Sequence, residues 1–287
     1  MTISGFTIIR NGNILGYPYL ESIQSVLPIC DEFIAVVGDS TDGTRESILS
    51  LKSPKIKIID TIWDENLRKG GQILAQQTNI ALSATTGTWG LYLQGDEVIH
   101  EKYLDNIVKA MHKWENDARV EGLLFKYKHF YGSYDYIAKA RQWYRYEIRA
   151  IKKDPGIYSY RDAQGFRKKG RKLRVKTVDA EVYHYGWCRP PKEQQKKQWA
   201  FHKLYHSDEW LKKHVKQTEE YDYSTNQLIE KFTETHPMVM KSKIESMNWE
   251  FEYDPKKTKI SLKDRFIFGV EKMFGFRPWE YKNYKII

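Results

Sequence analysis

The sequence predicts an α/β protein built on a mostly parallel central sheet flanked by helices, and three observations lead to that prediction. Strand-like and helix-like segments alternate over roughly the first 130 of the 287 residues, which is the pattern of a parallel sheet with crossover helices. Polar clusters directly follow three of the strand-like segments, as they do where ligands bind at the carboxyl edge of such a sheet. No apolar run is long enough to span a membrane, so we expect a cytoplasmic protein.

Short apolar, β-branched runs predict the strands of the first half. They cover residues 5–9, 33–37, 56–59 and 91–93, with a further strand at 123–125. Helices are expected after Pro18, over 72–84 and around 104–111, because apolar residues recur there at helical spacing.

The pattern changes beyond residue 126. Residues 143–151 and 181–187 are rich in strand formers, and the basic stretch 160–176 between them is predicted to be a loop. From Pro190-Pro191 onward the chain is polar, and we expect a mainly helical C-terminal extension over 191–287 that follows a main domain over 1–190.

The net charge of +10 is concentrated in the second half of the chain. Residues 1–120 carry a net charge of −4, whereas residues 121–287 carry +14. A basic half suggests anionic partners such as a nucleotide, a phosphorylated lipid or a membrane surface. No nucleic-acid-binding module is recognisable, so a nucleic-acid partner is not expected. Cys30 and Cys188 are far apart and form neither a disulfide framework nor a zinc motif.

The three polar clusters are the candidate functional residues. Arg10-Asn11 follows the first strand, the stretch from Asp39 to Thr44 follows the second, and Asp96-Glu97 follows the fourth. Asp39 is either a ligand-binding residue or a turn residue that caps the next helix. Asp96 suits a hard divalent cation that in turn holds a diphosphate, and the alternative is a solvated turn.

Two of these stretches resemble the acidic signatures of family 2 glycosyltransferases. They are Val36-Val37-Gly38-Asp39-Ser40-Thr41-Asp42-Gly43-Thr44 and Leu93-Gln94-Gly95-Asp96-Glu97, and the resemblance covers roughly residues 5–187. It implies a GT-A nucleotide-sugar fold, with a nucleotide-sugar part over 1–125 and an acceptor part over 126–190. It also implies that Asp39 lies near the base or ribose and that Asp96 binds Mg²⁺ or Mn²⁺. Gln94 stands where the family's Asp-x-Asp motif has its first acid, and Arg10-Asn11 replaces the family's Pro-x-x-Asn start.

The resemblance implies roles for three later residues. His184 would complete the metal shell, although a buried histidine bonded to backbone is the alternative. Asp162 would be the general base that deprotonates the acceptor, with Asp154 and Asp179 as further candidates, or else only a helix cap. Trp187 would stack on an acceptor sugar or simply close the core.

The function that the resemblance implies is a metal-dependent, inverting transfer from a nucleotide sugar, such as a UDP-sugar, to a saccharide or lipid-linked acceptor in polysaccharide biosynthesis. The alternative is a non-catalytic relative that binds a nucleotide or glycan, which Gln94 favours. The basic run 167–176 either gathers phosphate or is a solvated loop, and the aromatic tail 266–279 either lies on a membrane or packs on the core. We therefore expect the protein in the cytoplasm or at the inner face of the cell membrane.

Overall fold

A computed structural model describes residues 1–67, 69–215, 218–223, 228–253, 266–267, 269–271, 273, 275, 277–278 and 280–287. The strands are β1 (Ile3–Ile9), β2 (Glu32–Val37), β3 (Ile56–Asp60), β4 (Trp89–Tyr92), β5 (Glu97–Ile99), β6 (Gly122–Tyr131), β7 (Tyr136–Ala138), β8 (Tyr146–Lys152), β9 (Ile157–Tyr160), β10 (Gly165–Lys168), β11 (Arg171–Lys172), β12 (Arg174–Trp187), β13 (Ile229–Lys231) and β14 (Lys285–Ile286). The helices are α1 (Tyr19–Val26), α2 (Thr44–Leu49), α3 (Gln72–Ala84), α4 (Leu104–Trp114), α5 (Pro191–Lys203), α6 (Asp208–His214) and α7 (Lys241–Glu245).

The first four strands form the parallel part of the sheet, in the order β3-β2-β1-β4 with β3 at its edge. The second half of the chain extends this sheet beyond β4. There β8 runs antiparallel to both β4 and β6, and β6 pairs in parallel with the long strand β12. The parallel strands share one carboxyl edge, so the loops that follow β1, β2 and β4 lie side by side.

Apolar residues on both faces of the sheet build the core. Ile3 and Ile9 of β1 belong to a cluster that also holds buried residues of α1 and α4, whereas Phe6 and Ile8 belong to a second cluster that includes Ala81 of α3. Because successive side chains of a strand point to opposite faces, helices cover the sheet on both sides. The predicted α/β class, with parallel strands and flanking helices, is confirmed.

The predicted loop over 160–176 is wrong. Strands β9, β10 and β11 form a separate antiparallel sheet, and β12 already begins at Arg174. The many charged residues of this stretch made it look like a solvated loop. In the structure their charges are paired, because Lys168, Arg171 and Arg174 all contact Glu121.

The chain after Pro190 combines helices with short strands. Helix α5 begins at Pro191 and is followed by α6, whereas β13 pairs with β7 and β14 pairs with β12. The aromatic tail 266–279 is predicted either to lie on a membrane or to pack on the core. Much of it, including Phe268, Phe274, Phe276 and Trp279, lies outside the described residues. Of the helices in the described residues, none has the length and apolar character needed to cross a bilayer.

Candidate functional site

The loops after β1 and β2 meet through direct contacts. Arg10 donates a hydrogen bond to the Asp39 carboxylate at 2.9 Å, and the backbone N–H of Asn11 donates to the Ser40 hydroxyl at 2.9 Å. The Asn11 side chain accepts a hydrogen bond from the Thr41 backbone at 3.1 Å. The predicted convergence of these strand ends is therefore present in the fold.

A cleft of about 330 Å³ opens at this carboxyl edge. Four residues singled out from the sequence line it, namely Arg10, Asn11, Gln94 and Asp96. Asp39 is exposed and does not line the cleft, but it contacts Arg10 and accepts a hydrogen bond from the backbone of Trp63 at 3.3 Å.

Trp63 is a cleft residue that the sequence analysis missed. It follows β3, is buried, and lines the cleft with the Arg10 guanidinium 5.5 Å from its ring centre. Its indole N–H has no hydrogen-bond partner among the described residues. Because Trp63 follows a third parallel strand, its position in the sequence could have predicted a place at the carboxyl edge of the sheet.

Asp96 and His184 face each other beneath the cleft. The distance from Asp96 Oδ2 to His184 Nε2 is 3.6 Å, and both residues are buried. Burial alone raises the pKa of the Asp96 carboxyl, but the ammonium of Lys197 and other nearby positive charge hold this pKa well below its usual value. Asp96 is therefore a carboxylate at neutral pH.

His129 fixes the proton position on His184. Its Nε2 lies 2.7 Å from the backbone carbonyl of Tyr144, which can only accept, so Nε2 carries a proton. Burial lowers the pKa of both histidines, so both are neutral, and His129 Nδ1 then accepts from His184 Nδ1 at 3.1 Å. The free lone pair of His184 is consequently on Nε2, the ring nitrogen that lies 3.6 Å from Asp96 Oδ2.

Gly186 leaves the space beside these two groups open. A Cβ atom at this position would lie 2.6 Å from Asp96 Oδ2 and 2.8 Å from His184 Nε2. A carboxylate oxygen and an imidazole lone pair that converge on one space fit a cation such as Mg²⁺ or Mn²⁺. Across the described residues, no group of three or more His, Cys, Asp or Glu side chains is placed to hold a metal ion. A divalent ion at this pair would therefore need further ligands from a bound nucleotide or water.

Glu97, next to Asp96, has a structural partner. Arg149 of β8 donates two hydrogen bonds of 2.7 Å to its carboxylate, and both side chains are fully buried. Tyr127 and the backbone N–H of Gln94 donate to the same carboxylate. This pair holds the 94–97 turn against the sheet.

Among the three candidate bases, Asp162 lies beside the cleft. It precedes the cleft residue Ala163 in the turn between β9 and β10, and it is half-buried. Asp154 instead pairs with Lys168 at 2.6 Å, and neither Asp154 nor Asp179 is among the residues that line the cleft.

Trp187 lies in an aromatic cluster outside the cleft lining. Its ring centre is 6.0 Å from Tyr131, 5.6 Å from Trp143 and 5.7 Å from Tyr221. The indole is half-exposed, so part of its surface is open to solvent.

Comparisons with known proteins give one family. The sequence model described as "Glycosyl transferase family 2" matches residues 19–173. No match to a curated protein sequence was found.

Solved structures of glycosyltransferases resemble this fold at low sequence identity. S. aureus TarS 1–349, solved in complex with UDP, is 17% identical with a TM-score of 0.43, and the match covers 69% of this chain and 64% of TarS 1–349. The UDP-GlcNAc complex of TarS 1–349 is 14% identical over 70% of this chain and 65% of that one, with a TM-score of 0.41. Glucosyl-3-phosphoglycerate synthase from Mycobacterium tuberculosis, solved with Mn²⁺, UDP and phosphoglyceric acid, is 20% identical over 45% of this chain and 43% of that one, with a TM-score of 0.30. The chain thus spans just under two thirds of the length of TarS 1–349.

Proposed function

Because the chain belongs to glycosyl transferase family 2, we propose that it moves a hexosyl group from a UDP-sugar to a saccharide or lipid-linked acceptor, with inversion at the anomeric carbon. Such a reaction serves polysaccharide biosynthesis. The proposal assigns the protein to the cytoplasm, at the inner face of the cell membrane when the acceptor is lipid-linked.

The observation that carries this proposal is the pair of Asp96 and His184 at the cleft. Their converging oxygen and nitrogen, 3.6 Å apart, would hold Mg²⁺ or Mn²⁺. A bound divalent cation neutralises the negative charge that develops on a diphosphate leaving group. Asp96 and His184 would hold this cation, and Gly186 keeps the space beside them open.

The loops after the parallel strands would hold the nucleoside. Arg10, Asn11 and Gln94 line the cleft, and Asp39 orients Arg10 through the 2.9 Å ion pair. Trp63 adds an aromatic surface of the kind on which a base can stack. The nucleoside site in this proposal thus combines one ion pair, two amides and one indole.

Asp162 would be the general base and Trp187 an acceptor-binding residue. The Asp162 carboxylate would take the proton of the acceptor hydroxyl as that oxygen attacks the anomeric carbon and the bond to the diphosphate breaks. Asp162 lies next to the cleft residue Ala163, which supports this role. The half-exposed indole of Trp187 offers a stacking surface for a sugar ring.

The test combines binding and turnover. Isothermal titration of UDP-sugars and GDP-sugars with and without Mn²⁺ identifies the donor, and release of the nucleoside diphosphate measures turnover. Asp96→Asn is expected to abolish the metal dependence of both readouts. Asp105→Asn, which removes an exposed carboxylate of α4, is the matched control and should behave like the wild-type protein. Metal-independent binding of equal strength in wild type and Asp96→Asn would contradict the metal assignment.

Gln94 gives one specific reason to keep the non-catalytic alternative. An amide stands at the cleft where the family motif has an acid, so one negative charge is missing from the donor site. Tight nucleotide-sugar binding without product release, over a panel of saccharide and lipid-linked acceptors, would identify the chain as a binding protein.

A further inference from the structure

Lys197 of α5 is a buried cation at the bottom of the cleft. It lines the cleft but is only 7% exposed. Its ammonium donates to the backbone carbonyl of Gly186 at 2.6 Å and to Asp96 Oδ2 at 3.2 Å. The same nitrogen lies 5.1 Å from the ring centre of Tyr17, another cleft residue.

Arg189 places a second buried cation next to the first. It is 2% exposed, and its guanidinium donates to the backbone carbonyls of Leu15 and Gly186. Its carbon Cζ lies 5.2 Å from the ring centre of Tyr17, on which Lys197 also lies. In the part of the chain that the structure describes, no carboxylate pairs with Arg189, and its Nε has no hydrogen-bond partner.

The carboxylate of Asp96, which pairs with Lys197, thus lies near two buried positive charges. A buried charge without a counter-ion is unfavourable, and such a site gains free energy when it binds an anion. The excess charge lies directly at Asp96, where the proposed function puts the donor diphosphate. The charge balance thus favours a ligand that brings negative charge to this point.

We propose that Lys197, supported by Arg189, binds the diphosphate of the donor directly and makes the divalent cation enter together with the nucleotide. This inference rests on the proposed function. If a divalent metal ion bound alone, its charge would add to those of Lys197 and Arg189, and only the single negative charge of Asp96 would offset them. The diphosphate of a nucleotide-sugar donor carries two negative charges, and the free nucleoside diphosphate carries about three at neutral pH, because the second pKa of its terminal phosphate is near 6. Together with Asp96, the donor offsets most, and free nucleoside diphosphate all, of the positive charge of a divalent cation, Lys197 and Arg189.

The experiment compares the wild-type protein with Lys197→Met, which keeps the apolar stem and removes the charge. UDP binding without metal is measured by isothermal titration, and Mn²⁺ binding without nucleotide by electron paramagnetic resonance. We expect UDP affinity to fall about tenfold or more and the affinity for Mn²⁺ alone to rise about tenfold, since hydrogen bonds to charged groups contribute at this level. General damage to the site would lower both affinities. Lys196→Met, an exposed lysine on the same helix, is the matched control and should change neither.

Measurements on the unaltered protein test the same proposal without reliance on a variant. Because coupling between two ligands is reciprocal, UDP should raise Mn²⁺ affinity by the factor by which Mn²⁺ raises UDP affinity, and we expect at least tenfold. Equal Mn²⁺ affinity with and without UDP would overturn the proposal, and so would unchanged metal-free UDP affinity in Lys197→Met. A wild-type protein that binds no UDP or GDP in any condition would overturn the proposed function as well.

Discussion

Gly186→Ala should remove the cation site while the rest of the cleft stays intact. The added methyl group would press against both groups that are proposed to hold the metal, 2.6 Å from Asp96 Oδ2 and 2.8 Å from His184 Nε2. Ordinary van der Waals contact begins at 3.4 Å, so the oxygen must retreat by about 0.8 Å and the nitrogen by about 0.6 Å. Neither atom belongs to a flexible side-chain end, because both residues are buried.

The size of the expected effect follows from these displacements. Metal–ligand distances are held within about 0.2 Å of their preferred values, so shifts of this size are incompatible with normal coordination. We expect Mn²⁺ affinity in the presence of UDP to fall by about 10- to 100-fold or more. Overpacking should also cost about 1–3 kcal/mol of folding free energy, which corresponds to a decrease in Tm of roughly 2–12 °C for a chain of this size.

The assay is Mn²⁺ binding by electron paramagnetic resonance at saturating UDP, with circular dichroism to verify the fold. Metal-free UDP affinity should fall less than the Mn²⁺ affinity, because the contacts of Arg10 and Asn11 in the nucleoside loops do not involve Gly186. Gly269→Ala is the matched control: this glycine is exposed, and an added Cβ would have no heavy atom within 4 Å. A folded Gly186→Ala protein that keeps its Mn²⁺ affinity within threefold would refute the assignment of the cation to this space.

Substitutions at three further positions test the other groups. Asp162→Asn should lower kcat by at least about 100-fold in acceptor-dependent transfer while donor affinity stays unchanged; near-normal turnover would remove Asp162 from the chemistry. Glu97→Gln leaves Arg149 buried beside a neutral partner and should cost about 3–5 kcal/mol in thermal or denaturant unfolding; an unchanged Tm would show that the pair contributes little. His129→Phe removes the acceptor for His184 and should lower Mn²⁺ affinity in the presence of UDP about 10- to 100-fold, whereas His129→Asn offers an amide oxygen instead and should keep most of it. Equal losses in both variants would contradict the orienting role.

The part of the site that the sequence could predict lies at the ends of parallel strands. Arg10 and Asp39 follow β1 and β2, and because parallel strands end at a common edge, their contact of 2.9 Å follows from the strand pattern. Asp96 was identifiable for the same reason. For these residues, the local sequence pattern and the geometry of a parallel sheet are sufficient to predict their place in the site.

The remaining groups depend on packing that no local pattern encodes. His129 meets His184 only because β6 and β12 pair in a register that contains two irregularities. Lys197 reaches Asp96 from a helix 101 positions later in the chain, and its polar neighbours made this helix look solvent-exposed. The partner of Glu97 is Arg149, which the charge pattern gave no reason to choose over the many other basic residues of the second half.

The hydrogen bond from His129 to the backbone of Tyr144 affects how the site can change during evolution. A side-chain acceptor can be lost by one substitution, but a carbonyl oxygen is present whatever amino acid occupies position 144. The tautomer of His184 is therefore insensitive to mutation at that position as long as the backbone path is kept. The tautomer of His184 depends instead on the residue at position 129. Few side chains can donate to a carbonyl and accept from an imidazole at the same time. We expect position 144 to vary in related sequences in which position 129 is restricted to histidine or a side-chain amide.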